Sequence, residues 1–183
     1  TFAAGASNDI TLDSSGNDFK TLAITNGNNV TLVDTDDIAL GASTVSGTYT
    51  LTAGGAVTQS GALAIASDVT TISASGQNVT LENTSNNFGT IGVTGADVSL
   101  IDSNALVLGA STVSGTYTIE TKSSNITNSG TLTITGVSTF KVVNGASISV
   151  DSANNNFAAT PVFTATSGTI ADVTIVDNSA LAF

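Results

Sequence analysis

The chain has 183 residues, of which 40% are hydrophobic and 9% charged, and 14 acidic side chains against three lysines give a net charge of -11. A chain this apolar buries a core, which excludes a disordered coil, and a chain this poor in cations cannot neutralise phosphates, which excludes nucleic acid and anionic lipid as electrostatic partners. Cysteine, methionine, tryptophan and histidine are absent, so disulfides, thiolate chemistry, imidazole bases and the usual zinc or copper ligands are removed together.

In chain order, the first phrase is NDITLDSSGNDF at 8 to 19, which returns as QNVTLENTSNNF at 77 to 88 and ASISVDSANNNF at 146 to 157. Phe19, Phe88 and Phe157 therefore share one position, as do Asp13, Glu82 and Asp151. A second phrase, NNVTLVDTDDIALGAS from 28, returns as ADVSLIDSNALVLGAS from 96 and ADVTIVDNSALAF from 171. It runs into GASTVSGTYT, identical at 41 to 50 and 109 to 118. Duplication of one unit explains both. Module boundaries fall at 1–69, 70–138 and 139–183, the last one truncated, within one continuous domain over 1–183.

Each module divides at Gly and Asn-Gly punctuation into segments of about 23 residues, each with about three runs of alternating apolar and polar residues. No long helical period is present. One such unit cannot bury its apolar side alone, whereas stacked units enclose a continuous column of Val, Leu and Ile. The pattern predicts an all-β fold, a right-handed parallel β-helix (β-solenoid) of about eight coils of about 23 residues, with three short strands per coil. Paired β-sandwich domains are the competing architecture. Gly47, Gly61, Gly76, Gly95, Gly115, Gly130 and Gly145 are expected as corner residues with positive φ, the NDF and NNF triplets as corners, and the three phenylalanines as core anchors three coils apart.

Acids are the only ionisable groups in any number. Asp34, Asp102 and Asp177 align in the second phrase, and the triplets DTD (Asp34 to Asp36) and DSN (from Asp102) loosely resemble the start of a calcium loop, so Asp34, Asp36, Asp102 and Asp177 are the calcium candidates, but the central Gly and the Glu at the twelfth position are missing. Solvated strand-end carboxylates are the default reading, and calcium is the one cofactor left to consider. Asp13 with Asp34, or Glu82 with Asp102, could pair as glycosidase carboxylates. They recur with the module, however, and no arginine serves an anionic sugar, so no catalytic residue is assigned and no enzyme is expected. Threonine rows such as TYT at 48–50 and 116–118 and TLTIT at 131–135 raise an ice-binding face, yet the segment aligned with TLTIT reads ALAIA at 62–66, so the rows do not look sustained. The glycosylation triplets at Asn29, Asn78, Asn83 and Asn125 are expected from composition alone.

Taken together, NDITL, NNVTLVD, ALVLGASTVSG, AGGAVTQSGAL and NDF resemble the β-strand-repeat shafts of large bacterial secreted adhesins of the filamentous-haemagglutinin type, over essentially all of the chain. That resemblance implies a β-helical shaft, secretion or cell-surface display, and a role in adhesion, biofilm or surface-layer structure. The expected function is a structural shaft or fibre segment, with a ligand-binding solenoid (calcium, glycan or ice) as the alternative and a polysaccharide-active enzyme behind it. Expected partners are neighbouring repeats or identical copies stacked end to end, and a host or matrix surface, without nucleic acid or membrane insertion. Both ends cut through a module, which predicts a piece of a longer rod or an end-to-end fibre.

Overall fold

The computed structural model describes residues 1–179; residues 180–183, the end of the third copy of the second phrase, lie outside them. Among the described residues every regular element is a short strand, and every strand pairing is parallel. The chain winds about eight times, laying three strands per coil onto three faces.

Face 1 starts with Ile10–Leu12, Val30–Asp34 and Tyr49–Ala53 and continues into the second half of Leu63–Ser73. It then takes the second half of Asn87–Gly95, Ser111–Val113, Leu132–Ile134 and Asn156–Phe157. Face 2 is an unbroken eight-stranded sheet from Thr21–Leu22 to Val162–Ala165. Face 3 runs through Ile24–Asn26, Ser43–Thr44, the first halves of Leu63–Ser73 and Asn87–Gly95, then Leu106–Leu108, Ile126–Asn128, Ile148–Val150 and Val173–Ile175. Leu63–Ser73 and Asn87–Gly95 bend around the corner between faces 3 and 1, and this joins the two faces into one sheet.

Alternation decides which side chains go inside. In Tyr49–Ala53 the residues Tyr49, Leu51 and Ala53 are buried, while Thr50 and Thr52 between them point outward. Leu32, Leu51 and Ile72 stack in register on face 1, and Val79, Val98 and Tyr117 on face 2. Toward the C-terminal end aromatics fill the column: Phe140 lies 6.1 Å from Tyr117 and 6.2 Å from Phe157, both edge-on, and 5.7 Å from Phe163 in a stacked pair.

Coil lengths vary around the predicted value. Register steps run from 17 residues at Thr90↔Val107 to 25 at Ile148↔Val173, and most coils are shorter than 23. A module therefore holds more than three coils. Starting at Ile10–Leu12 on face 1, three full coils return the chain to face 1 at Thr70–Ser73, and the repeat closes one strand later, at Val79–Leu81 on face 2. Its third copy, Ile148–Val150, is on face 3. The repeat is thus ten strands long on a three-strand coil, and each copy is turned by one face relative to the last. Phe19, Phe88 and Phe157 accordingly sit at three different positions around the column rather than one above another.

Most of the glycines do not behave as the sequence suggests. Of the seven corner glycines only Gly76 (φ 73) and Gly145 (φ 76) take positive φ. Gly61 and Gly130 are needed instead for coil-to-coil approach: a Cβ at either would fall inside van der Waals contact with the backbone nitrogen of Ala42 or Ala110 in the preceding coil. The constraint there is space between stacked backbones, which a single sequence read one coil at a time does not display.

Phe140→Ala removes a ring that touches three other rings in a fully buried position. The expected loss is about 3–5 kcal/mol, read as a lower denaturation midpoint in urea with little change in slope.

Candidate functional site

The side chains that the sequence offers for chemistry are tied up at the corners. Asp34 and Asp102 follow Val30-x-Leu32 and Val98-x-Leu100, so strand alternation turns them inward, and they are 2% and 0% exposed. Asp34 Oδ1 accepts the Phe19 amide at 2.6 Å, and Asp102 Oδ1 accepts the Phe88 amide at 2.8 Å. Asp177 repeats the contact with the Phe157 amide at 3.2 Å. The other carboxylate oxygen of Asp102 takes the Asn104 amide at 3.0 Å, as Asp34 takes Asp36 at 3.4 Å. These residues are therefore clasps between a carboxylate and the corner of the preceding coil. They correct the expectation of solvated strand-end carboxylates: two of the three are buried, because their parity in the strand matches the core residues before them.

An asparagine completes each clasp. Asn86 donates to the carbonyls of Leu81 and Ile101, both at 3.1 Å, and its Oδ1 accepts the Leu63 amide at 3.0 Å. Asn155 donates to Val150 O at 3.0 Å and accepts the Leu132 amide at 2.9 Å. Asn17 donates to Leu12 O and Val33 O at 3.0 and 3.3 Å. The amide side chain of Gln59, or of its equivalent Asn128, holds the same asparagine from the preceding coil, at 2.8 and 3.2 Å. Sequence reasoning placed the NDF and NNF triplets at corners but missed Gln59 and Asn128, whose only signal is that each stands 27 residues before a clasp asparagine.

The four calcium candidates are not brought together. Asp34 lies on face 1, Asp102 on face 2 and Asp177 after the last strand of face 3, while Asp36 Oδ2 is held by Lys20 at 2.9 Å. Among the described residues no three acids converge on a point that could hold a metal. The proposed carboxylate pairs also separate. Leu12 pairs with Leu32 and Leu81 with Leu100, so Asp13 and Glu82 occupy outward positions, whereas Asp34 and Asp102 point inward. The two acids of each pair stand on opposite sides of the sheet and cannot flank one glycosidic bond. A groove of about 330 Å³ between Thr58, Gln59, Ser60, Thr80, Glu82 and Asn83 contains one carboxylate, which the Ser99 hydroxyl already engages.

All three lysines are paired. Lys20 bridges Asp18 and Asp36, and Lys122 and Lys141 converge on Glu120 at 2.6 and 3.3 Å. Burial pushes the Glu120 carboxyl up, but the two ammonium groups outweigh it and hold it below its ordinary value of 4.5. Asp102 moves the other way: burial raises it, and the amides of Phe88, Asn104 and Ser103 recover only part of that. Burial likewise raises Tyr49 and Tyr117, the tyrosines of the duplicated GASTVSGTYT, whose phenols lie in the core. That motif places Ser43 and Ser111 inward, where each hydroxyl accepts a backbone amide, from Ile24 at 3.0 Å and from Val93 at 3.1 Å.

A model of the family described as "Repeats of unknown function (DUF5649)" matches three successive stretches, residues 1–26, 27–94 and 95–164. Its units begin ahead of Val30–Asp34 and of Val98–Asp102, at a different phase from module boundaries drawn at 69/70 and 138/139. No curated protein and no solved structure matches the chain.

Two outcomes follow from the clasps and the lysine pair. Asp102→Ala orphans the buried Phe88 amide and the partly buried Asn104 amide and is expected to cost about 1–3 kcal/mol for the first and less for the second, whereas Asp13→Ala, at an exposed outward position, leaves the urea midpoint unchanged. Glu120 has a depressed folded-state value, so its contribution is present above the ordinary value of 4.5 and is lost as pH falls through the folded one. Glu120→Gln should therefore flatten the acid limb of a plot of melting temperature against pH, below that point and not above it.

Proposed function

The chain belongs to the DUF5649 family of repeats, and from that premise we infer that it is a stiff structural segment, the shaft of a secreted or cell-surface bacterial repeat protein. The observation that carries this is the uninterrupted column. Parallel pairing continues coil after coil on all three faces, and the carboxylates of Asp34, Asp102 and Asp177, which recur with the repeat, are spent on sealing corners. Length and stiffness are what such a column supplies.

The likeness of the repeat phrases to filamentous-haemagglutinin-type shafts supports display outside the cell, in adhesion, biofilm or a surface layer. Neighbouring repeats are the first partners, because a coil covers the core of the coil before it. Val173 faces the column axis as Ile148 does, yet it is 43% exposed against 1% for Ile148. A neighbouring repeat stacked there would cover it, as each coil covers the one before. A shaft also accounts for the acidic surface, since like charge keeps rods dispersed. Catalysis, nucleic-acid binding and membrane insertion have no place in this reading.

Concatenation tests it. Adding one repeat should lengthen the particle along one axis by about 16 Å, three and a third strand spacings, with no change of cross-section. Small-angle scattering of chains with increasing repeat number reads both. A particle that grows in cross-section instead refutes the shaft.

A further inference from the structure

We propose that face 1 is an ice-binding surface. The outward positions of this face form two hydroxyl rows that run across the coils. Thr11, Thr31, Thr50 and Thr71 stand in register in four successive coils. Thr52, Ser73, Thr94, Thr112 and Thr133 stand in register in five. The rows overlap at Thr50-x-Thr52 and Thr71-x-Ser73, giving a two-dimensional array with about 4.8 Å between coils and about 6.8 Å across each strand.

Comparing TLTIT with ALAIA leads to the opposite conclusion, and the structure shows why. Those aligned segments are not stacked: Leu132–Ile134 is on face 1, whereas residues 63–65 are on face 3. Because each repeat turns by one face, a row in space draws on different strands of the module. Continuity has to be read down the register, not down the alignment.

Two further observations point to an ordered water lattice as the occupant. First, the hydroxyls are unspent: among the described residues no side-chain hydrogen bond engages Thr31, Thr50, Thr52, Thr71, Ser73 or Thr94. Threonine's β-branch restricts its χ1 angle, so methyl and hydroxyl are held on a rigid sheet before anything binds, and little order remains to be imposed. Second, charge is kept away. The chain carries 17 ionisable acids and lysines, yet none occupies either row. Face 2 provides the internal contrast. It carries the equivalent first row as Thr80, Ser99, Thr118 and Thr139, but the equivalents of Thr52 and Ser73 are Glu120 and Lys141. An ion or a charged polymer would favour face 2. The row positions of face 1 carry neither charge nor an aromatic platform for a sugar ring, and offer a regular array of hydroxyls and methyls; Asp13 on this face stands beyond the row, two coils before Thr52. The two spacings are of the kind that repeats between oxygens on ice crystal faces.

The test uses the complete chain in thermal-hysteresis and ice-recrystallisation assays at up to millimolar protein. The expected result is a hysteresis gap with faceted crystals. Thr52→Glu combined with Ser73→Lys transplants the face 2 pair onto face 1 at positions where the fold already accepts it, and should abolish the gap while melting temperature is kept. The converse change, Glu120→Thr with Lys141→Ser, extends the hydroxyl array to face 2 and should widen the gap. Crystals that grow unarrested and unshaped in the unaltered protein overturn the proposal. So does an equal gap in the face 1 variant. A concentration-dependent dimer, seen by sedimentation and abolished by that variant, would assign the face to a second copy and also overturn it.

Discussion

The structure depends on satisfying backbone amides at corners. Within the strands of interior coils the N–H and C=O groups find the coil above or below, but where the chain turns from one face to the next the ladder is broken, and a buried amide without a partner costs as much as a lost hydrogen bond. Carboxylates solve this at Asp34, Asp102 and Asp177. An ionised carboxylate only accepts and can take two amides at once, so one residue joins the corner behind it to its own turn. The cost is visible at Asp102, where burial lifts the carboxyl above its ordinary value despite three amides. Asn86 and Asn155 do the complementary task. Each both donates and accepts, and links two carbonyls or a carbonyl and an amide in different coils. These recurring inward-facing polar residues are thus consumed by the fold.

A ten-strand repeat on a three-strand coil then sets how that fold is decorated. Each strand keeps the same neighbours along the axis in every copy: Val30–Asp34 lies between Ile10–Leu12 and Tyr49–Ala53, and Val98–Asp102 lies between their equivalents, Val79–Leu81 and Tyr117–Thr121. Packing and clasps are therefore conserved from copy to copy by construction. What changes is direction. A side chain that faces one way in the first copy faces another in the second, so the array is a screw whose three faces carry one pattern displaced along the axis.

Much of this was legible in the residues and some was not. Alternation in VTLVD, VSLID and TLTIT fixes strand type and the inward set, and duplicated phrases without hairpin turns fix the solenoid. Inward parity also marks Asp34 and Asp102 as buried, since they stand two and four places from Leu32 and Val30, or from Leu100 and Val98. That signal is outweighed by the habit of placing acids in water. Coil length was hidden for a different reason. Dividing a module of about 69 residues into three equal parts is the simplest arithmetic, but the physical unit is the strand, and short corners such as that between Thr21–Leu22 and Ile24–Asn26 admit a tenth one. Once the coil is taken as a third of the module, stacked positions are misassigned, threonine rows disappear and Gly61 and Gly130 look like turn residues.

The screw also changes what divergence between repeats means. In a stack with a whole number of coils per repeat, replacing Thr52 and Ser73 by charged residues in the next copy would interrupt one row and leave the other faces as they were. Here the same replacement, at Glu120 and Lys141, lands on face 2. The two hydroxyl rows of face 1 stay free of charge, and the ion pairs with Glu120 collect on another side of the rod. Core positions cannot drift without disturbing the column, and clasp positions cannot drift without orphaning amides. Outward positions can, and because copies point in different directions, their drift gives one scaffold chemically different sides.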